Sequence, residues 1–209
     1  MRNSTTLLAF AIAASLAFAG AARAADDKDH KHDHGHGAHV GDKAPAFSLQ
    51  DHNGKTVNLS DLSGKIVVLE WTNPGCPYVV RHGKEQTMKN VADKYKDKDV
   101  VWLGVITGDG AKADAAKKWS KTASLEYPIL LDTSTAVARS YGAKATPHMF
   151  VIDKSGKLAY SGAIDNDAEG EKPANERTNY VAKAIANLLA GQTVATPETK
   201  AYGCGVKYK

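Results

Sequence analysis

The sequence predicts an α/β fold in which a central mixed β-sheet is flanked by helices. Two continuous apolar runs, IVVLEWT at residues 66–72 and DVVWLGVIT at residues 99–107, are typical of buried central strands. Segments with helical periodicity separate these strands, and a strand hairpin followed by a last helix closes the pattern. The element order β-α-β-α-β-β-α, with an added N-terminal β-hairpin and an inserted helix, therefore predicts one sheet between helices.

The first elements are predicted from a turn and from a helical repeat. FSLQD and KTVNLSD flank Asn53-Gly54, a dipeptide that favours a tight turn between antiparallel strands. After the IVVLEWT strand, a loop that contains Cys76 leads into a helix ending near Lys96. Gly83 lies inside this helical segment, so we expect it to kink or divide the helix.

The later elements follow in chain order. ADAAKKWSK predicts a helix, PILLD a short strand, and STAVARSYG a compact helix that Gly142 ends. HMFVID and KLAYSGAI, joined through residues 154–156, predict a second hairpin. The last helix is expected from about Asn175 to Ala190, with its apolar side chains on one face and Gly191 at its end.

Residues 1–24 have the features of a secretory signal peptide. Arg2 precedes the apolar stretch LLAFAIAASLAFAG, and Ala22-Arg23-Ala24 supplies small residues for cleavage after Ala24. This stretch is shorter than the roughly 20 apolar residues that cross a bilayer. We therefore expect a periplasmic or secreted mature protein that is not stably inserted in a membrane.

The charge of the mature chain is nearly balanced. Of the 27 basic residues, Arg2 and Arg23 belong to the predicted signal peptide, so 25 remain against 23 acidic residues. Such a balance does not favour nucleic acid or an anionic surface as a partner.

Residues 25–40, ADDKDHKHDHGHGAHV, are rich in His and Asp and have almost nothing apolar to bury, so we expect a disordered segment. Imidazoles two residues apart with carboxylates between them favour Cu, Zn or Ni, whereas the alternative is a solvated linker. The candidate metal ligands are His30, His32, His34, His36 and His39. A folded domain at 41–190 and a tail at 191–209 are expected to follow.

Two cysteines, Cys76 and Cys204, are present. In an exported protein such a pair forms either a structural disulfide or a redox pair. Pro77 follows Cys76 and favours a helix start, where free amides and the helix dipole lower the pKa of a thiol. Arg81 and His82 come about one turn later, where each either adds positive charge near the thiol or faces water.

Three segments resemble proteins of the thioredoxin fold. IVVLEW followed by Cys-Pro resembles their active-site strand and loop, and Ala145-Thr146-Pro147 lies where that family keeps a cis-proline facing the active-site cysteine. GDKAPAFSLQDHNGKTVNLSDLSGKIVVLEW resembles the opening of the redoxins, the alkyl hydroperoxide reductase and thiol-specific antioxidant group. NPGCPY, TPHM and GCGVKY are similar to motifs of exported peroxiredoxin-like proteins, and the resemblance covers about residues 40 to 190.

This resemblance implies a thioredoxin-like fold and an exported thiol-disulfide oxidoreductase of peroxiredoxin-like type that requires no cofactor. It also implies a cis Pro147, which leaves the backbone of Thr146 free to pair with an extended substrate or a mixed disulfide. The candidate catalytic residues are Cys76, Cys204, Thr146, Pro147 and Arg81. The candidate substrate-binding residues are Trp71, Asn73, Pro77 and His148. The expected partners are a thiol reductant and an oxidised protein, small-molecule disulfide or hydroperoxide.

The chain departs from two motifs of these relatives. Thioredoxins use C-x-x-C, but Val79 stands three residues after Cys76, so no vicinal dithiol forms. Peroxiredoxins use P-x-x-x-T-x-x-C, whereas here Thr72 lies four residues and Pro74 two residues before Cys76. Both peroxide reduction and disulfide exchange therefore stay open as activities.

Cys204 lies in a tail that is long enough to reach the active-site loop. The thirteen residues after Gly191 extend to roughly 40 Å at about 3.3 Å each, and a domain of this size has a radius of gyration near 15 Å. Gly203 and Gly205 permit close backbone approach on both sides of the thiol. Cys204 is therefore either a resolving cysteine for Cys76 or half of a permanent staple worth about 5 kcal/mol.

Two other functions are compatible with the residues. A metal-handling protein would bind Cu(I) through Cys76 with His148 or Met149, and the histidine tract would collect Cu or Zn. A stapled binding module without chemistry is the third possibility. Glu70, the one charged residue in IVVLEW, is expected to form a structural ion pair, and the alternative is a carboxyl with a raised pKa that passes protons to Cys76.

Overall fold

The computed structural model describes residues 37–208. Ala38 and Val40 pack on the folded domain, and the amide of Ala38 donates a hydrogen bond to the carbonyl of Ser140 at 3.0 Å. The folded chain therefore begins before the predicted boundary at residue 41, because these apolar side chains are partly buried. Outside the described residues lie the predicted signal peptide, residues 1–24, and four of the five candidate metal ligands, His30, His32, His34 and His36.

Residues 37–208 contain nine β-strands and five α-helices. The strands are β1 Ser48–Gln50, β2 Thr56–Asn58, β3 Ile66–Trp71, β4 Val100–Thr107, β5 Ile129–Asp132, β6 Ala145–Thr146, β7 His148–Ile152, β8 Leu158–Gly162 and β9 Cys204–Gly205. The helices are α1 Pro77–Lys84, α2 Thr87–Tyr95, α3 Ala113–Thr122, α4 Ala136–Tyr141 and α5 Tyr180–Leu189.

The central sheet has five strands in the order β5-β4-β3-β7-β8. Strand β3 is parallel to β4, and β4 is parallel to β5, whereas β7 is antiparallel to both β3 and β8. Strands β1 and β2 form the predicted N-terminal hairpin as a separate antiparallel pair. The predicted α/β class, with a central mixed sheet flanked by helices, is thus confirmed.

Alternate residues of β3 enter two different hydrophobic cores, as the period of two along a strand requires. Ile66 and Val68 face a core with apolar residues of α2 and α5. Val67, Leu69 and Trp71 face the opposite core, to which α4 contributes. Because both faces are covered, the strand is apolar throughout except at Glu70.

The sequence predicted that the helical segment would kink or divide at Gly83, but the segment does not divide there. The helical segment divides two residues after α1, where Gln86 has a φ of 57° between α1 and α2. Gly83 instead lies inside α1, where an added Cβ would come within 2.5 Å of Trp119. The glycine is therefore needed for close packing of α1 on α3.

The last helix starts later than predicted. Asn179 caps α5 by accepting a hydrogen bond from the amide of Ala182 at 2.8 Å, so the helix begins at Tyr180 rather than near Asn175. The preceding residues form a loop in which the Asp167 carboxylate accepts hydrogen bonds from three successive amides, those of residues 170–172. This loop lies beside α1 and takes part in the candidate site.

The C-terminal tail is docked on the domain along its described length. Val194 and Tyr202 pack on the core that includes α2 and α5. Val206 and Tyr208 pack on the opposite core, and Cys204 lies against a third cluster around Cys76. Within residues 37–208, no helix is both long and apolar enough to cross a membrane.

Candidate active site

Cys76 lies at the start of α1, in the loop that follows β3. Asn73 shapes this loop, because its side-chain oxygen accepts a hydrogen bond from the amide of Gly75 and its carbonyl accepts one from the amide of Cys76, both at 2.9 Å. Cys76 is the N-cap residue, and the exposed Pro77 occupies the first helical position as predicted. The local sequence therefore directs the thiol toward free amides of the helix N-terminus.

The segment between β6 and β7 faces this thiol. The Thr146-Pro147 peptide bond is cis, as the resemblance implied. The sulfur of Cys76 donates a hydrogen bond to the carbonyl oxygen of Thr146 at 3.0 Å. The structure thus brings three of the candidate catalytic residues, Cys76, Thr146 and Pro147, to one place.

Strand β9 of the tail brings the second cysteine to the same place. Strand β9 pairs antiparallel with β6, so Cys204 lies directly opposite Thr146. Both cysteines are free thiols, and Cys204 packs against the cluster of buried side chains that includes Cys76. Cys76 itself is only 1% exposed.

The two thiols differ in acidity. Burial alone raises the pKa of Cys76, but hydrogen bonds to its sulfur from the Cys204 thiol and the Val79 amide outweigh burial and hold the pKa below the ordinary value of 9.0. Smaller contributions in the same direction come from the Thr146 side chain and the Cys204 amide. Val79 occupies the third position of α1, so the helix N-terminus lowers the pKa of Cys76 as the sequence predicted.

Cys204 has the opposite shift. The hydrogen bond that its thiol donates to Cys76 is the largest cause, and together with burial and the charge on Cys76 it raises the pKa of Cys204 to about 11. Only Lys207 acts in the other direction. At neutral pH the reduced pair therefore consists of an activated Cys76 and a protonated Cys204 that stabilises it.

An open cavity of about 340 Å³ adjoins the paired strands. Its walls include the candidate substrate-binding residues Trp71 and Asn73, and the tail contributes Gly205, Val206 and Lys207. Trp71 is fixed because its indole N–H donates a hydrogen bond to the hydroxyl of Thr107 at 3.1 Å. This cavity has room for a small group beside Thr146 and Gly205, the residues next to Pro147 and Cys204 in the chain.

His148 does not point into this cavity. Its Nδ1 accepts a hydrogen bond from the amide of Lys144 at 3.1 Å, and its Nε2 lies 3.3 Å from the hydroxyl of Ser161. Burial and the charge of Lys144 lower the pKa of His148 to about 4. The ring also packs on Phe150, so the structure places this predicted substrate-binding residue in the core rather than on the substrate.

The predicted ligands for copper are likewise engaged elsewhere. Both ring nitrogens of His148 have partners, and Met149 is fully buried in the core that includes α2 and α5. His39 is exposed at the start of the described chain. In the part of the chain that the structure describes, no group of three His, Cys, Asp or Glu side chains could hold a metal ion.

Arg81 points away from the thiol. One of its terminal nitrogens donates a hydrogen bond to the carbonyl of Asp167 at 2.8 Å, and the guanidinium packs closely on Gly170. Arg81 is not among the groups that shift the pKa of Cys76. This candidate catalytic residue therefore lies against the loop before α5, because its helical position faces that loop.

A set of contacts that the sequence did not predict joins α1 to the C-terminal tail. His82 contacts the hydroxyl of Tyr202 through Nε2 at 2.9 Å and the hydroxyl of Thr87 through Nδ1 at 3.1 Å. The Tyr202 hydroxyl also donates a short hydrogen bond to the carboxylate of Asp165. These residues are far apart in the chain, so no local spacing signals their contact.

Glu70 is not part of an ion pair, contrary to the favoured prediction. Its carboxylate accepts hydrogen bonds from the indole of Trp102 at 3.0 Å and the hydroxyl of Tyr127 at 2.8 Å. Burial raises the pKa of Glu70, as the alternative prediction held, although these hydrogen bonds oppose the shift. Because both partners belong to the core that includes α2 and α5, Glu70 has a structural role there.

A thioredoxin-like fold with a free cysteine at the start of a helix is typical of thiol-dependent oxidoreductases. A family model described as the AhpC/TSA family matches residues 40–161. The chain belongs to that family.

Comparisons with individual proteins agree with this assignment. The chain is 29% identical over 145 residues to the thiol-disulfide oxidoreductase ResA of Bacillus thuringiensis subsp. konkukian (strain 97-27), which covers 69% of this chain and 78% of that protein. An uncharacterized conserved protein from Geobacillus kaustophilus has a TM-score of 0.73 and 26% identity, with 82% of this chain and 93% of that chain covered. A putative thiol:disulfide interchange protein DsbE from Chlorobium tepidum has a TM-score of 0.52 and 31% identity, with 59% and 84% covered.

Proposed function

We propose that the protein is an exported thiol-disulfide oxidoreductase in which Cys76 is the nucleophile and Cys204 the resolving cysteine. The observation that carries this proposal is the placement of Cys204 opposite Thr146, packed against the cluster of buried side chains that includes Cys76. The names of the relatives, thiol-disulfide oxidoreductase and thiol:disulfide interchange protein, support the same chemistry. The pattern of residues 1–24 supports export.

In the first step, the thiolate of Cys76 attacks one sulfur of a substrate disulfide. A bond forms between Cys76 and that sulfur, the substrate S–S bond breaks, and the other substrate sulfur leaves as a thiolate. Once Cys76 is in the mixed disulfide, it no longer accepts a hydrogen bond as a thiolate from Cys204. The largest cause of the raised pKa of Cys204 is then gone, so Cys204 becomes easier to deprotonate.

In the second step, the thiolate of Cys204 attacks the sulfur of Cys76. The Cys76–Cys204 disulfide forms, and the second substrate sulfur leaves as a thiolate. Two electrons have passed from the cysteine pair to the substrate, and the two cysteine protons balance the two substrate thiols formed. A thiol reductant restores the free pair for the next cycle.

A hydroperoxide is the second candidate oxidant, because the opening of the domain resembles that of the alkyl hydroperoxide reductase and thiol-specific antioxidant group, and the AhpC/TSA family model matches residues 40–161. Cys76 would attack the terminal peroxide oxygen, and the O–O bond would break to release an alcohol and leave a sulfenic acid on Cys76. Cys204 would then attack that sulfur and release water. The absence of P-x-x-x-T-x-x-C around Cys76 makes disulfide exchange the first candidate.

Single substitutions test this proposal. Cys76→Ser is expected to abolish turnover of both a small-molecule disulfide and a hydroperoxide, with dithiothreitol as the reductant, because the nucleophile is lost. Cys204→Ser is expected to react once and to retain the substrate as a mixed disulfide that mass spectrometry detects. Turnover by Cys76→Ser at the wild-type rate would contradict the proposal. Complete release of the second substrate thiol by Cys204→Ser would contradict it as well.

Export is tested separately with the full chain. We expect the mature protein in the exported fraction of a bacterial host to begin at Ala25. Retention of residues 1–24 in the cytoplasmic fraction would contradict export without affecting the proposed chemistry.

A further inference from the structure

Tyr202, two residues before Cys204, connects the tail to the helix that carries the nucleophile. Its hydroxyl contacts Nε2 of His82 at 2.9 Å and donates to the carboxylate of Asp165. Its ring packs beside Tyr78, with 5.9 Å between ring centroids. Both Tyr78 and His82 belong to α1, whose N-cap is Cys76.

Building on the proposed function, we propose that Tyr202 is a positioning residue for the resolving step. It holds the tail against α1 so that Cys204 stays within reach of the sulfur of Cys76. No comparison assigns a role to this residue. Tyr202 touches neither sulfur by the contacts described, so it acts through the placement of Cys204.

Tyr202 joins Asp165 to His82 through its one hydroxyl. A tyrosine hydroxyl has one proton, which Tyr202 donates to the carboxylate of Asp165. Nε2 of His82 lies 2.9 Å from the Tyr202 hydroxyl and 3.3 Å from a terminal nitrogen of Arg81. Burial, assisted by the charge of Arg81, lowers the pKa of His82, although Asp165 opposes the shift.

Other contacts hold the tail to different parts of the domain. The hydroxyl of Thr199 is bonded to Tyr160 and to the amide of Ala163, and the hydroxyl of Tyr208 donates to carbonyls at the end of α4. Among these described anchors, Tyr202 is the one that reaches α1. It therefore fixes the position of β9 relative to the helix whose start presents Cys76.

This placement has a direct kinetic meaning. A resolving thiol held beside its target reacts at a high effective concentration, which falls as the tether loosens. Removing the Tyr202 hydroxyl should therefore slow the attack of Cys204 on Cys76. The earlier attack of Cys76 on a substrate should change only through the thiolate fraction of Cys76.

The test follows the two steps separately with reduced mature protein in excess over dithiobis(nitrobenzoate). Attack by Cys76 releases one thionitrobenzoate, and attack by Cys204 on the mixed disulfide releases the second, so stopped-flow absorbance resolves both. Tyr202→Phe keeps the ring and is expected to slow the second release about tenfold, because a hydrogen bond to a charged group is lost. The first release is expected to change only as far as the thiolate fraction of Cys76 changes.

Tyr95→Phe is the matched control. It also removes one buried tyrosine hydroxyl, which donates to the carbonyl of Ala182 between α2 and α5, away from the tail. We expect both releases to keep wild-type rates in this variant. Asp165→Asn, which weakens the same hydrogen bond from the acceptor side, is expected to slow the second release as Tyr202→Phe does.

The pKa of Cys76, measured from the pH dependence of thiolate absorbance, gives an independent readout. It is expected to rise in Tyr202→Phe, because the hydrogen bonds from Cys204 that lower it weaken. A wild-type second release in Tyr202→Phe, an unchanged pKa of Cys76, or equal slowing in Tyr95→Phe would overturn the role of Tyr202. Absence of any second release from the wild-type protein would instead overturn the proposed function.

Discussion

At Cys76 the sulfur is 1% exposed, yet its pKa lies below that of an ordinary thiol. Burial in apolar surroundings normally raises the pKa of a cysteine. Here the sulfur accepts hydrogen bonds from a helix amide and from Cys204, which stabilise the thiolate more than burial destabilises it. The reactivity of this residue is therefore a property of the docked tail as well as of the helix.

Glu70 is a buried carboxyl with a structural role rather than a role in the reaction of Cys76. Because burial raises its pKa, the folded state binds a proton more tightly than the unfolded state does. The free energy of unfolding should therefore fall as the pH rises above about 4.5, the ordinary pKa of glutamic acid, through the raised pKa.

Glu70→Gln should remove this part of the pH dependence. The amide oxygen can still accept hydrogen bonds from Trp102 and Tyr127, but the side chain no longer ionises. We expect urea midpoints above pH 4.5 to be higher in Glu70→Gln than in the wild type. Glu126→Gln, at a mostly exposed glutamate, is the control and should keep the wild-type pH profile. An identical profile in Glu70→Gln would contradict the shift.

Sequence reasoning predicted the helix start at Cys76 and the cis bond before Pro147, because each depends on local chemistry. A Cys-Pro pair marks a helix start, and the T-P-H-M segment marks the cis bond that the structure contains. It misplaced His148 and Arg81 because the direction of a side chain on a strand or helix depends on which neighbours surround that element. The pattern of one segment does not contain that information.

At the scale of elements, the buried strands were predictable and the loop before α5 was not. Strands β3 and β4 are continuous apolar runs, which only a sheet covered on both faces accommodates. Residues 175–178 looked helical, but Asn179 caps α5 with its side chain and so sets a later start. Several capping residues in one segment compete, and packing decides among them.

Strand β9 depends on a glycine that precedes it. Gly203 has a φ of 125°, and an added Cβ would lie 2.1 Å from the carbonyl oxygen of Thr146. Gly203→Ala must therefore push β9 away from β6, at a cost on the order of 1–3 kcal/mol for the strained backbone alone. We expect alkylation of Cys76 by iodoacetamide to become about tenfold faster, because the cover over the sulfur opens more often.

Gly205 provides a control in the same strand. Its φ is not positive, and an added Cβ would meet nothing within 4 Å. Gly205→Ala should therefore leave alkylation of Cys76 at the wild-type rate. Equal rates for Gly203→Ala and the wild type would show that close contact with Thr146 does not hold the tail.

At the scale of the whole molecule, the tail joins regions that are distant in sequence. Tyr202 contacts a residue 120 positions earlier, and Cys204 lies opposite Thr146, 58 positions earlier. The sequence showed that the tail could reach Cys76, but reach does not specify a docking surface. Contacts of this range depend on the completed fold, so no local pattern predicts them.

Oxidation should change the stability of the entire domain. A bond between Cys76 and Cys204 would join residues 128 positions apart, and closing such a loop restricts the unfolded chain by about 5 kcal/mol. We expect the guanidinium midpoint of the oxidised protein to exceed that of the reduced protein. Cys204→Ser should have the same midpoint in both conditions. Equal midpoints for the two wild-type states would contradict a disulfide between these residues.

The pairing of β9 with β6 also restricts how a partner can reach the edge of β6. An extended polypeptide that binds to β6 by strand addition would have to displace β9. Because β9 is tethered to the domain through a short segment, its local concentration at β6 is on the order of millimolar. A compact oxidant that enters the adjoining cavity does not have to displace β9. We therefore expect β9 to exclude an extended polypeptide from the edge of β6 more effectively than it excludes a small molecule.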